Sequence, residues 1–158
     1  MARIYWTCRQ LDNIGGHEAG RALLKELYGI HVGGQLPPIA VTELGKPYLE
    51  GSDWHFSISH TRHYAFCVLC DCPVGLDAEE LNRQVSPLLA DKALSPGERA
   101  QYDAASDKNR ALLTFWVLKE ADSKRTGRGI GFHPNHTDFM LTDQRVFIHS
   151  DCLVAIVY

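Results

Sequence analysis

The chain has 158 residues, 45% of them hydrophobic, which is enough for one well-buried core and short for two ordinary domains. Its net charge of -3, without any run of Lys and Arg, argues against a surface built to grip nucleic acid. No apolar run approaches the ~18 residues of a membrane span, and the opening Met1-Ala2-Arg3-Ile4-Tyr5-Trp6 shows no leader pattern. The expectation is a single cytoplasmic domain over 1–158 with no membrane partner.

Residues 3–8 alternate well enough for a first strand, and 15–27 carry Ala19, Leu23, Leu24 and Leu27 at helical spacing. Gly29, Gly33-Gly34 and Pro37-Pro38 then break the chain before a short strand at 39–44 and a turn at Gly45-Lys46-Pro47. Strands are predicted at 54–59 and 64–70, the second apolar throughout and so buried on both faces, with another at 74–77. Ser86-Pro87 and Ser95-Pro96-Gly97-Glu98 read as helix starts, the latter a capping box with Pro at N1. A long helix over 108–125 ends at Gly127, Gly129 and Gly131, and strands at 138–141, 145–148 and 153–157 close the chain. This order implies an α+β fold with antiparallel sheets packed on helices. Pseudo-twofold halves of about 1–75 and 76–158 are one arrangement it allows.

Five cysteines is an odd count, and Cys67, Cys70 and Cys72 lie in one apolar run, which suits a reducing compartment better than a disulfide framework. A zinc site would need His133-x-x-His136 as its second half. It would also need Cys67 to share a face with Cys70 and Cys72, which strand alternation opposes.

Three stretches could carry chemistry. Leu112, Trp116, Glu120 and Lys124 recur at i+4 and share a helix face, so two core residues lead to a carboxylate that burial would penalise unless a cation meets it. Asp77 and Glu79 share one side of their strand, and a D-x-E pair supplies the oxygen ligands that a hard divalent cation prefers. Ser57, Ser59 and His60 end a strand with small donors suited to a phosphate. Taken singly, each has a bland alternative: an exposed Glu/Lys pair worth ~0.3–0.5 kcal/mol, a solvated strand end, a capping histidine.

Read jointly, four ordered motifs resemble the 4'-phosphopantetheinyl transferases of the single-chain, surfactin-synthetase-activating type. They are Gly45-Lys46-Pro47, Ser59-His60-Thr61, Gly75-Leu76-Asp77-Ala78-Glu79 and Trp116-Val117-Leu118-Lys119-Glu120-Ala121-Asp122-Ser123-Lys124. Leu94 to Glu98 and the closing 153–158 strand also look like the family. The resemblance implies an enzyme that moves the phosphopantetheine arm of coenzyme A onto a serine of an acyl, peptidyl or polyketide carrier protein, leaving adenosine 3',5'-bisphosphate.

By the family's pattern Asp77, Glu79 and Glu120 would hold Mg2+, and Asp77, Glu120 and Lys124 would be the catalytic set. Glu120 would take the serine proton and Lys124 would stabilise the pyrophosphate. His60 with Ser59 would contact the 3'-phosphate and Lys46 the nucleotide end, while Lys119 would serve phosphate charge or helix placement. Asp122 and Ser123 are more polar than the pattern, which is compatible with a catalytically impaired coenzyme A-binding relative. Arg3, Arg9 and Arg21 are the N-terminal candidates for a further coenzyme A contact, Arg125 and Arg128 for carrier docking, and a monomer is expected.

Overall fold

The computed structural model describes residues 1–129 and 137–158. In chain order the elements are β1 (Ile4–Gln10), α1 (Gly16–His31), β2 (Ile39–Val41), β3 (Pro47–Leu49), β4 (His55–His60), β5 (Tyr64–Cys70), β6 (Gly75–Glu80), α2 (Leu88–Ala93), α3 (Pro96–Ala104), α4 (Lys108–Thr126), β7 (Val146–His149) and β8 (Cys152–Val157). One antiparallel sheet has the order β1-β5-β4, a second has the order β6-β8-β7, and β2 and β3 form a separate hairpin. The fold is α+β, as the element order implied. In each three-stranded sheet the strands appear in sequence as first, third, second, with a long helix after the first.

Strand alternation builds the layers. On β5, Ala65, Cys67 and Leu69 face Leu23, Leu24 and Leu27 of α1, whereas Phe66, Val68 and Cys70 face Leu76, Ala78, Val154 and Ile156 of the second sheet. Leu153, Ala155 and Val157 of β8 turn the other way, onto Leu112, Phe115 and Leu118 of α4. The order through the molecule is therefore α1, first sheet, second sheet, α4. β5 is buried along its length after Tyr64, as its continuous apolar run requires.

The two sheets meet edge to edge at β4 and β6, through side chains. Ser57 Oγ accepts the Leu76 N–H at 3.0 Å and Ser59 Oγ accepts the Ala78 N–H at 3.2 Å. On the other side, β6 approaches α4 so closely that a Cβ on Gly75 would lie 1.8 Å from the Ala121 carbonyl oxygen.

Three expectations are corrected. Residues 138–141 form no strand, because their N–H groups are captured by side chains: Phe139 N–H donates to Glu98 Oε1 at 2.9 Å and Leu141 N–H to Gln101 Oε1 at 3.0 Å. Pro47, expected in a turn with Gly45 and Lys46, instead opens β3, which pairs with 39–41 as a hairpin. Trp116 is half-buried rather than core, since α4 buries Ala111 to Phe115, Val117 to Lys119 and Ala121, leaving Trp116 and Glu120 on its least covered face. The capping box forms as read, with Ser95 accepting from the Glu98 N–H and Glu98 accepting from the Ser95 N–H. Gly127 caps α4 in the left-handed region at φ 72°, and its N–H donates to the Ser123 carbonyl. Gly131, His133 and His136 lie outside the described residues.

Candidate active site

A cavity of about 580 Å³ opens along the seam between the sheets, floored by the ends of β4 and β6 and walled by α4 and the Gly45-Lys46-Pro47 turn. Of the residues singled out from the sequence, Lys46, Ser59, His60, Asp77, Glu79, Glu120 and Lys124 all line it. Residues separated by 78 positions in the chain, Lys46 and Lys124, thus face one space.

Asp77 is the most constrained of these groups. It is 6% exposed, and its Oδ1 accepts from Lys124 Nζ at 2.7 Å and from Ser59 Oγ at 3.2 Å. Its Oδ2 is buried without a hydrogen-bond partner among the described residues. An orphaned carboxylate oxygen is costly away from water, so it fits a cation arriving from the cavity. Burial pushes the Asp77 carboxyl above the usual range against the pull of Lys124 and Ser59.

Lys124 reaches across to β6, bonding Asp77 and the Leu76 carbonyl (3.1 Å), so the surface i,i+4 pair with Glu120 is not the contact it makes. Burial first, then the neighbouring Asp77 carboxylate, pushes the Glu120 carboxyl up to about 7 despite Lys124. A divalent cation among these groups would relieve that crowding, and the all-oxygen donor set suits magnesium. The three carboxylates do not, as they stand, bring one oxygen each within 4.8 Å of one another among the described residues. Glu79 is ion-paired with Arg83, four residues on.

Basic side chains line the same cavity. Lys46 Nζ donates to the Arg125 carbonyl, and burial followed by the charge of Arg125 lowers its pKa. Its stem lies against Gly127, where a Cβ would come within 3.1 Å of Lys46 Cδ. His60 is exposed at the mouth of the cavity and packs on the first turn of α1, with a Cβ on Gly16 falling 2.4 Å from its ring. His17 and Arg21, one helical turn apart on α1, also line the cavity. His17 was missed in the sequence, although its i,i+4 spacing from Arg21 was there to be read. Of the three N-terminal arginines, Arg21 reaches the cavity, whereas Arg3 pairs with Asp71 and Arg9 with Glu26.

Lys119 does not line the cavity. Its ammonium meets Glu98 Oε2 at 2.8 Å and the Thr137 carbonyl at 2.9 Å in a site where both charged side chains are almost wholly buried. Its charge is thus met by Glu98 and the Thr137 carbonyl, away from the cavity. Asp122 also faces away from the cavity and holds Arg125 through its Oδ1, at 2.9 and 2.8 Å, while Ser123 lines the cavity.

Carboxylates and cations lining one cavity form a site suited to a polyphosphate ligand with a divalent cation. The family model described as the 4'-phosphopantetheinyl transferase superfamily matches residues 73–153, half of the chain, and the chain belongs to that superfamily. It is 29% identical over 90 residues to the 4'-phosphopantetheinyl transferase gsp of Aneurinibacillus migulanus, covering 56% of this chain and 37% of that protein. It is 26% identical over 125 residues to 4'-phosphopantetheinyl transferase psf-1 of Bacillus pumilus (73% and 53%). It is 33% identical over 82 residues to a holo-[acyl-carrier-protein] synthase of Limosilactobacillus fermentum (46% and 67%). The match thus spans between about a third and a half of the length of the first two relatives.

Proposed function

We propose that this chain transfers the 4'-phosphopantetheine arm of coenzyme A to a serine of an acyl, peptidyl or polyketide carrier protein, with adenosine 3',5'-bisphosphate as the product released. The observation that carries the reading is the buried, half-satisfied Asp77 in the same cavity as Glu79, Glu120, Lys124, Lys46 and His60. Asp77, Glu79 and Glu120 would hold Mg2+, which when bound offsets the negative charge that grows on the pyrophosphate as it is cleaved.

The chain's own residues do the rest. Glu120 takes the serine hydroxyl proton at its carboxylate as the serine oxygen bonds to phosphorus. The bond from that phosphorus to the bisphosphate breaks, and Lys124 stabilises the charge left on the departing oxygen. His60, with His17 and Arg21 beside it, offers cationic or neutral donors to the 3'-phosphate, and Lys46 serves the nucleotide. Ser59 supports Asp77, since its hydroxyl proton already goes to Oδ1.

A second reading rests on the Glu79–Arg83 ion pair: if Arg83 keeps Glu79 from the cation, the chain binds coenzyme A without transferring its arm. Incubation with apo carrier, coenzyme A and magnesium separates the two. Transfer adds a phosphopantetheine mass to fatty-acid, polyketide or peptide carriers tested side by side; no addition to any of them, with coenzyme A binding intact, supports the second reading.

A further inference from the structure

Cys70 and Cys72 lie outside the cavity and have no part in the chemistry above. Cys70 ends β5 fully buried between the sheets, and Cys72, half-buried, follows two residues later. Their Sγ atoms stand 3.2 Å apart. The strand ends at Cys70, and the bend at Asp71 and Cys72 turns the second thiol back to the side of the first.

The residue between them holds them there. Asp71 Oδ1 accepts the Arg3 N–H and Oδ2 accepts Arg3 Nε–H, both at 2.9 Å, and the Asp71 N–H returns to the Arg3 carbonyl at 3.3 Å. With both oxygens engaged by Arg3, Asp71 has little left for a metal, although it lies with the two sulfurs inside 4.8 Å. Cys67 faces α1 on the other side of the sheet, so a three-thiolate zinc site is excluded by geometry. What remains is a preorganised pair of thiols. Cys8 is beside Ser150 and Cys152 beside Thr61, so neither joins it.

We infer that Cys70 and Cys72 form a reversible disulfide by exchange with a low-molecular-weight disulfide. The Cys72 thiolate, on the more accessible residue, attacks one sulfur of the oxidant to give a mixed disulfide and release one thiolate. Cys70, held in contact, then attacks the Cys72 sulfur, forming the Cys70–Cys72 bond and releasing the second thiolate. The two protons lost by the cysteines go to the two released thiols, so the protein is oxidised by two electrons and the oxidant reduced by two. Burial and the bond from Cys72 raise the Cys70 thiol to about 11, in keeping with its acting second.

The test exposes the folded full chain to oxidised glutathione and reads whole-protein mass and a peptide map. The expected result is a loss of two hydrogens with Cys70 linked to Cys72, reversed by dithiothreitol. Cys70→Ala should stop at one glutathionyl group on Cys72. A native chain that stays reduced at both positions, or that retains glutathione on Cys72, overturns the inference. A measurement without variants guards against misfolding of Cys70→Ala: phenylarsine oxide, which bridges two sulfurs, should block alkylation of Cys72 while leaving Cys8 reactive. Alkylation of Cys72 at an unchanged rate overturns it equally.

Discussion

The two sheet-and-helix halves share an element order and differ in what covers their helices. α1 buries one stripe, Ala19, Gly20, Leu23, Leu24, Leu27 and Tyr28, and leaves its outer face to solvent. α4 is buried nearly all round, because α2, α3 and the segment around Phe139 pack over it as well as the second sheet. The difference teaches where each half can afford charge. The loosely covered half presents donors at its edge, His17, Arg21 and His60, that a ligand can draw out of water. The enclosed half carries Asp77 and Glu120, whose raised pKa values need a rigid, desolvated frame.

The largest expected break in this contrast is chemical. Glu120→Gln removes the base and one carboxylate from the enclosed half, and should lower carrier loading by about 10³-fold, inside the range for a positioned acid or base. Coenzyme A binding without metal, followed by calorimetry, should persist; loading at the native rate would contradict the role given to Glu120.

Next comes the frame itself. Glu98 accepts the Ser95 N–H, the Phe139 N–H and the Lys119 ammonium at once, with no exposure of its own. Removing one partner of a buried pair leaves the other charge stranded, so Glu98→Gln should cost about 3–5 kcal/mol in urea unfolding. The matching cut in the open half, Arg9→Ala at the exposed pair with Glu26 (2.7 Å), should cost ~1 kcal/mol or less. Equal losses would erase the distinction between the halves.

Ligand contacts of the open half come third. His60→Ala should weaken coenzyme A about tenfold, near the ~1.4 kcal/mol of one charge-assisted hydrogen bond, and leave the 3'-dephospho analogue nearly unaffected. Parallel losses for both ligands would remove the 3'-phosphate contact.

A further expected effect is in pH. Glu120 is raised from 4.5 to about 7 in the fold, so folding favours its protonated form. Its contribution to stability is present in full below pH 4.5 and is lost as the pH rises through about 7. Metal-free protein should therefore melt progressively lower across that window, and Glu120→Gln should flatten the decline in thermal scans; an unchanged slope in the variant would assign the effect elsewhere. Asp77 shifts in the same direction.

What could be read from residues alone follows the same division. β5 and the Ser95 capping box were legible because their signals are local: an unbroken apolar run, and two side chains three residues apart. The stripe through Trp116 was misjudged because a helix buried on almost every side has no single apolar face for a period to find. The carboxylates of the cavity were legible as motifs, whereas the partners that fix them were not. Asp77 is held by Ser59 and Lys124, and Lys119 by Glu98, across separations that only the fold closes. The loss of the strand at 138–141 has the same origin, since Glu98 and Gln101 take the N–H groups a neighbouring strand would have used.

Ser57 and Ser59 give the junction of the halves an unusual grammar. A backbone ladder is indifferent to side-chain identity, so its stiffness is fixed once the strands align. Here the β4–β6 seam is bridged by two hydroxyls, beside the apolar core that the two sheets share, and each hydroxyl can be deleted by one substitution while both sheets keep their own ladders. How firmly the ends of β4 and β6 are held together at the floor of the cavity is thus a property that point mutation can adjust in two small steps, without touching the shared core.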